Sequence, residues 1–161
     1  MRVKLKKLDE NAKLPIKAKK DDFCYDVYAI SEEEIAPNVW KYGLGFAYEI
    51  ERPYCSLFTF DLGTTLTVKD MNISIDIRPR SSIWKTGMVL ANSTGTCDEG
   101  YRNEVAAIFY HVIPTMPRYK VGDRVGQIKL GLTLPLEFEF VDEINENTER
   151  GKGGIGSTGN Q

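Results

Sequence analysis

A chain of 161 residues with 42% apolar side chains has the length of one packed domain, small enough that oligomerisation would help bury its surface. Its formal net charge of −2 excludes a protein that coats nucleic acid, whose domains carry a marked basic excess. A lone histidine rules out a His-based zinc site within one chain, and Cys24, Cys55 and Cys97, which show no C-x-x-C spacing, indicate neither a disulfide framework nor a thiolate zinc site.

The Met1 end is Lys-rich without an apolar h-region, and no apolar run approaches a membrane span, so a soluble cytoplasmic protein is expected. Val3 and Leu5 alternate with lysines and read as a half-exposed strand. Pro15 and the charged run Lys17 to Asp22 break that pattern. Phe23 to Ile30 reads as a strand with Asp26 inside it, where an unpaired carboxylate would be costly. Ser31-Glu32-Glu33-Glu34 mimics a helix start, but Pro37 follows too soon for a useful helix. The clearest period of two is Trp40, Tyr42, Leu44, Phe46, Tyr48 and Ile50, a strand with one large apolar face. Ile73, Ile75 and Ile77 repeat it, and a short helical turn is predicted at Ser82 to Lys85. Val105 to Ile113 is nearly continuous apolar and predicts a strand buried on both faces, with His111 a satisfied, half-buried strand residue. Leu136, Phe138 and Phe140 alternate with Glu137 and Glu139 and predict a last strand. From Asn145 onward apolar residues nearly vanish, so residues 1–144 are expected to form a β domain and 145–161 a flexible glycine-rich arm. Many short strands and almost no helical periodicity argue for an all-β sandwich or barrel.

With so little histidine, the base of any enzyme here is expected to be a carboxylate. The segment Asn92 to Glu104 supplies one, with Asp98 three residues before Tyr101. Gly95 and Gly100 are where a chain most easily takes positive φ, so a tight hairpin is predicted, leaving backbone groups near Thr96 and Cys97 to meet a flat polar ligand edge-on. Asp98 can take a proton from water and Tyr101 can lay its ring against a sugar; a plain polar loop is the alternative. Arg78-Pro79-Arg80-Ser81-Ser82 offers an anion cradle or merely solvated arginines at a strand end. Gln127 can donate its amide to a phosphate or pair with a neighbour. Asp26 and Arg124 either shape that charge or form an internal ion pair. Gly151 to Gly159 is glycine-rich but lacks the P-loop spacing. Trp84 is expected to be a packed or interfacial anchor.

Five stretches in order resemble the motifs of the homotrimeric dUTPases: Asp21 to Ala29, Arg78 to Ser82, Asn92 to Glu104, Gly122 to Gln127 and Arg150 to Gly159. The resemblance implies a distorted jelly roll that assembles as a homotrimer, each active site built from three chains, with a C-terminal arm swapped onto a neighbour. It implies hydrolysis of dUTP to dUMP and pyrophosphate, which keeps uracil out of DNA and supplies dUMP. Asp98 would be the general base toward a water attacking the α-phosphorus. Asn92, Gly95, Thr96 and Cys97 would read uracil, and Tyr101 would pack on deoxyribose. Arg80, Ser81, Ser82 and Gln127 would take the phosphates, where Ser82 replaces the more usual glycine. Arg150, Gly156, Ser157 and Thr158 would close over the substrate, with Ile155 standing where the family usually places a phenylalanine over the base. Mg²⁺ would be held mainly by substrate oxygens and water, with Asp26 nearby and no protein ligand set of its own. No nucleic acid or membrane partner is implied. A segment from about residue 51 to 70 is longer than usual for the family and leaves open a dCTP deaminase-type, a nucleotide-binding regulatory or a purely structural role on the same fold.

Overall fold

The structure is a computed structural model that describes residues 1–52, 56–59, 65–67, 71–149 and 151. In chain order the strands begin with β1 (Arg2–Lys7), β2 (Tyr25–Tyr28), β3 (Ser31–Ala36) and β4 (Val39–Gly43). Next come β5 (Phe46–Glu51), β6 (Ser56–Thr59), β7 (Thr65–Thr67) and β8 (Asn72–Arg78). After a 3-10 helix at Ser81–Lys85 follow β9 (Met88–Leu90), β10 (Gly95–Asp98), β11 (Ala106–His111) and β12 (Arg124–Thr133). Two four-stranded antiparallel sheets, in the orders β10-β8-β12-β2 and β3-β4-β11-β9, enclose the core. Two-stranded pairs β1-β5 and β6-β7 complete the described fold, a distorted jelly roll.

Alternation explains the strands that carry the core. Ile73, Ile75 and Ile77 of β8 are buried, while Ser74, Asp76 and Arg78 occupy the opposite face. The run Trp40 to Ile50 is not one strand but two, in different sheets: β4 pairs with β3 and β11, whereas β5 pairs with β1. The chain turns between them at Gly45, whose φ of 72° is open to glycine at little cost and whose added Cβ would come within 3.0 Å of the Ala12 Cβ. Tyr42, Leu44, Phe46, Tyr48 and Ile50 all stay buried through the corner, so the period of two survives while the strand does not. Tyr42, Phe109 and Tyr119 meet edge to face with centroids 5.4–6.2 Å apart, and the Tyr42 hydroxyl donates to the Tyr119 carbonyl at 2.9 Å.

Three expectations change. β11 buries Ala107 and Phe109, but Tyr110 and the following Val112 and Ile113 are exposed, because nothing in this chain covers the other face. Leu136, Phe138 and Phe140 form no strand. Their side chains stand exposed on an extended segment, since no edge within the chain accepts it. Ser31 to Ala36, too short for a helix, is strand β3. The short turn predicted after Arg80 is present, and the His111 Nε2 lies 3.0 Å from the Met116 carbonyl, a satisfied half-buried position.

Phe109 is fully buried between two rings, so Phe109→Ala should lower the unfolding free energy by about 3–5 kcal/mol. Urea denaturation checks this; a loss under about 1 kcal/mol would mean that the site collapses around the gap.

Candidate active site

β10 is the edge of its sheet. One side pairs with β8, and the other has no strand partner among the described residues. The chain reaches β10 through residues 91–94, where Ser93 takes φ of 56°. Neither Gly95 nor Gly100 has positive φ, and β9 and β10 pair into different sheets, so the predicted glycine hairpin is instead a crossover turn between the two sheets. Gly95 is needed for closeness: a Cβ there would sit 3.3 Å from the Ile77 Cβ and 3.4 Å from the Asn92 Nδ2.

A pocket of about 350 Å³ opens beside this edge and brings together Asn92, Gly95, Thr96, Cys97, Asp98 and Tyr101. Ala106 and Ile108, from the face of β11 that the core leaves free, form part of its apolar wall. Asp98 is exposed, and its carboxylate accepts no hydrogen bond from the described residues. The Tyr101 amide donates to the Asp98 carbonyl at 2.9 Å and the Tyr101 hydroxyl to the Glu104 carbonyl at 3.0 Å, which leaves the ring face free. Glu104 accepts the Gly45 amide at 2.8 Å, and a Cβ on Gly43 would strike the same carboxylate at 2.5 Å.

Sequence reasoning missed the support behind the pocket. The Tyr48 hydroxyl lies 2.8 Å from the Cys97 carbonyl and 2.5 Å from the Asp98 carbonyl, so it clamps the strand end from within. Burial, then the neighbouring Cys97 and Asp98, push its pKa up to about 12, which keeps it a donor. Burial likewise pushes the Cys97 thiol up. Tyr48 carries no signal beyond its place in an apolar alternation; Glu104 belongs to a recognised motif and could have been found there.

A second cluster gathers around Asp26, which is 2% exposed. Its carboxylate accepts from Arg80 Nε at 3.1 Å, Arg124 Nη1 at 3.0 Å and Gln127 Nε2 at 3.0 Å. Arg80 also reaches the Ser82 hydroxyl at 3.3 Å, and Ser81 is exposed at the start of the 3-10 helix. Of the two readings of Asp26 and Arg124, the internal ion pair is the one present, and Gln127 joins it. Burial raises the Asp26 pKa, but hydrogen bonds from Gln127, Arg80 and Arg124 outweigh it, and the group lies below the ordinary carboxylate value. Trp84 is exposed rather than packed, with Lys85 Nζ 5.4 Å from its ring centre.

The two clusters do not meet. Asp98 pairs with Ser74 and Gln127 with Arg78, on opposite sides of β8. Four residues along β8 span roughly 13 Å and two strand spacings roughly 10 Å, so about 16 Å separates them. Arg150, Ile155, Gly156, Ser157 and Thr158 lie outside the described residues, as does most of the segment 53–70. Among the described residues no group of three His, Cys, Asp or Glu side chains is placed to hold a metal, and no helix is long and apolar enough to cross a membrane.

The fold and pocket define a jelly-roll protein with a nucleotide-sized polar site on a sheet edge. A dUTPase family model matches residues 10–159. The deoxyuridine 5'-triphosphate nucleotidohydrolase of Nautilia profundicola is 31% identical over 161 residues, and that of a Picosynechococcus strain 34% over 163, each covering 99% of both chains. Among solved structures, a mutant dUTPase of Staphylococcus bacteriophage 80alpha with dUpNHpp superposes with a TM-score of 0.71 at 19% identity, covering 98% of both chains. The dUTPase of phage phi11 of S. aureus, whose structure shows a species-specific insert, gives 0.64 at 17%, covering 89% of this chain and 98% of that one. The chain belongs to the dUTPase family, enzymes of the dUTP diphosphatase type.

Asp26 makes a test of the second cluster through pH. Its folded pKa is depressed below the unfolded value near 3.8, so its stabilisation is present above that value and is lost as pH falls through the folded one. Between pH 6 and pH 3 the wild type should therefore lose more unfolding free energy than Asp26→Asn, which is weaker at pH 6 but flatter. Parallel curves from urea titrations at the two pH values would contradict the assignment.

Proposed function

We propose that this protein hydrolyses dUTP to dUMP and pyrophosphate in sites shared between the chains of a homotrimer, with Asp98 as general base. The observation that carries this reading is an exposed, unpaired carboxylate at a pocket whose strand edge has free backbone groups, about 16 Å from the cluster that carries the cations. Uracil meets the free edge of β10 and Asn92, where a backbone edge pairs with it and leaves no room for a 5-methyl group. A cytosine would present a donor to a donor, a mismatch that discriminates strongly. The Tyr101 face packs on deoxyribose and excludes a 2′-hydroxyl. Asp98 draws a proton from the water that attacks the α-phosphorus, and the P–O bond to the β-phosphate breaks, with pyrophosphate leaving.

Arg80, Ser81, Ser82 and Gln127 of a neighbouring chain hold the phosphates, since their own chain sets them too far from its Asp98. Arg80 and Gln127 do this from within the Asp26 cluster, whose two guanidinium groups exceed its one carboxylate. A mutant phi11 dUTPase coordinates a structural Mg(II) ion. Here the Asp26 oxygens are already engaged by Arg80, Arg124 and Gln127, so Mg²⁺ would be held by substrate oxygens and water. When bound it neutralises charge on the leaving pyrophosphate.

Two surfaces support assembly. β1 pairs only with β5 among the described residues, beside an apolar groove of about 430 Å³ that includes Val3, Leu5, Tyr25, Ile128 and Leu130. Leu136, Phe138 and Phe140 stand exposed on an unpaired extended segment, and the same segment of a neighbour fits that groove. Beyond it the arm brings Arg150, Gly156, Ser157 and Thr158 over the triphosphate of the adjoining site and sets Ile155 on the base. The reaction belongs to the cytoplasm, where the nucleotide pool lies.

Asp98→Asn should bind dUTP normally and lose about 10²–10⁴-fold in pyrophosphate release. Shared sites add a sharper expectation. Asp98→Asn and Arg80→Ala homotrimers should each be weak, whereas unfolding and refolding them together should restore activity, because mixed trimers hold one site free of both changes. Mixtures no better than their parents would place the whole site in one chain. Ile155→Phe should tighten dUTP by about 1–3 kcal/mol through stacking, measured by calorimetry on the Asp98→Asn background.

A further inference from the structure

The end of β10 is fastened to β5 at two points, and the second also closes the neck of the segment 53–70. The first is the Tyr48 hydroxyl on the Cys97 and Asp98 carbonyls. The second is Arg52, immediately after β5. Its Nε donates to one Glu99 oxygen at 2.7 Å and its Nη2 to the other, while Nη1 donates to the Met71 carbonyl at 2.9 Å. Met71 directly precedes β8. One guanidinium thus joins both ends of the segment and ties them to the residue next to Asp98. Arg102 holds the same turn from outside, with Nη1 on the Glu99 carbonyl at 2.6 Å and the Tyr101 carbonyl at 3.1 Å.

We propose that Arg52 is a positioning residue for turnover, whose fork on Glu99 sets where the Asp98 carboxylate sits. The inference rests on the reading of Asp98 as general base. Asp98 makes no side-chain hydrogen bond of its own among the described residues, so its position is inherited from the backbone of residues 97–101. That backbone is held by Tyr48 before Asp98 and by Arg52 after it. A two-point fork fixes both distance and plane, which a lysine ammonium cannot do. The pair is about a quarter exposed on each side, so solvent screens it and its worth as a stabilising contact is limited. Reaction geometry is far less tolerant: a base displaced by about 1 Å can cost 10²-fold in rate.

The test compares Arg52→Lys and Glu99→Gln with Asp98→Asn in the full-length enzyme. Arg52→Lys keeps the charge and the aliphatic stem but loses the fork. Its kcat should fall about 10–100-fold, while KM for dUTP, the Kd for the imido analogue dUpNHpp and the melting temperature stay close to wild type. Glu99→Gln should fall similarly, and the double variant no further than the worse single, since both remove one contact. Wild-type kcat in Arg52→Lys and Glu99→Gln beside an inactive Asp98→Asn overturns the inference and leaves the base in place. Turnover that survives Asp98→Asn overturns the reading of Asp98 itself. Parallel losses in kcat, analogue affinity and melting temperature make Arg52 a structural residue only and also overturn the inference.

Discussion

Asp26 holds together the segments that carry the positive charge of the second cluster. Its backbone is bonded in both directions to Ile16, and its carboxylate takes Arg80 from beyond β8, Arg124 from the start of β12 and Gln127 three residues further on. Withdrawing an ionised carboxylate from water costs several kcal/mol, which only well-aimed charged donors offset. Two guanidinium groups and an amide do so here, and the cations outnumber the anion. A chain of net charge −2 can therefore keep a local site for a polyanion, because the field at a cluster depends on nearby charges more than on the total.

β8 sets the distances that the rest of the site must obey. It pairs with β10 on one side and with β12 on the other, so its register places the exposed carboxylate and the cation cluster on opposite sides and four residues apart. No side-chain rotation closes a gap of that size. The outer face of β11, the edge of β1 and the apolar residues beyond Pro135 are left uncovered for the same reason: the surfaces that would cover them are not in the chain. An all-β fold with this much unsatisfied edge and apolar surface is at risk of irregular association unless a closed symmetric assembly occupies it.

The parts of the fold written in local alternation were legible. Ile73, Ile75 and Ile77 read directly as the buried face of β8, and five motif-like stretches placed Asp98, Tyr101 and Asn92 at what proves to be one pocket. Where a feature depends on two distant segments, the sequence is silent. The corner at Gly45 is invisible because the side chains on either side keep the same period while changing sheets. Leu136, Phe138 and Phe140 carry a correct strand pattern with no partner inside the chain to complete it. Positive φ at Ser93 rather than at a glycine follows from the crossover between sheets. Tyr48 and Arg52 are ordinary residues in sequence and acquire their roles only through the carbonyls and carboxylate that folding brings to them.

The separation between the two clusters also bears on release. In the proposed trimer the substrate is held at both ends, base and sugar by the β10 pocket of one chain and phosphates by the Asp26 cluster of the next. Each set of contacts helps to hold the other in register, because once one end is seated the second binds as if at high local concentration. Cleavage between the α- and β-phosphorus severs that link. dUMP then keeps the base pocket and pyrophosphate the cation cluster, and each must bind without the other's help. Affinity for either product is therefore below that for dUTP although no protein contact has been lost. A site divided between chains in this way favours the intact triphosphate over its fragments, and needs no large movement of the sheets to let them go.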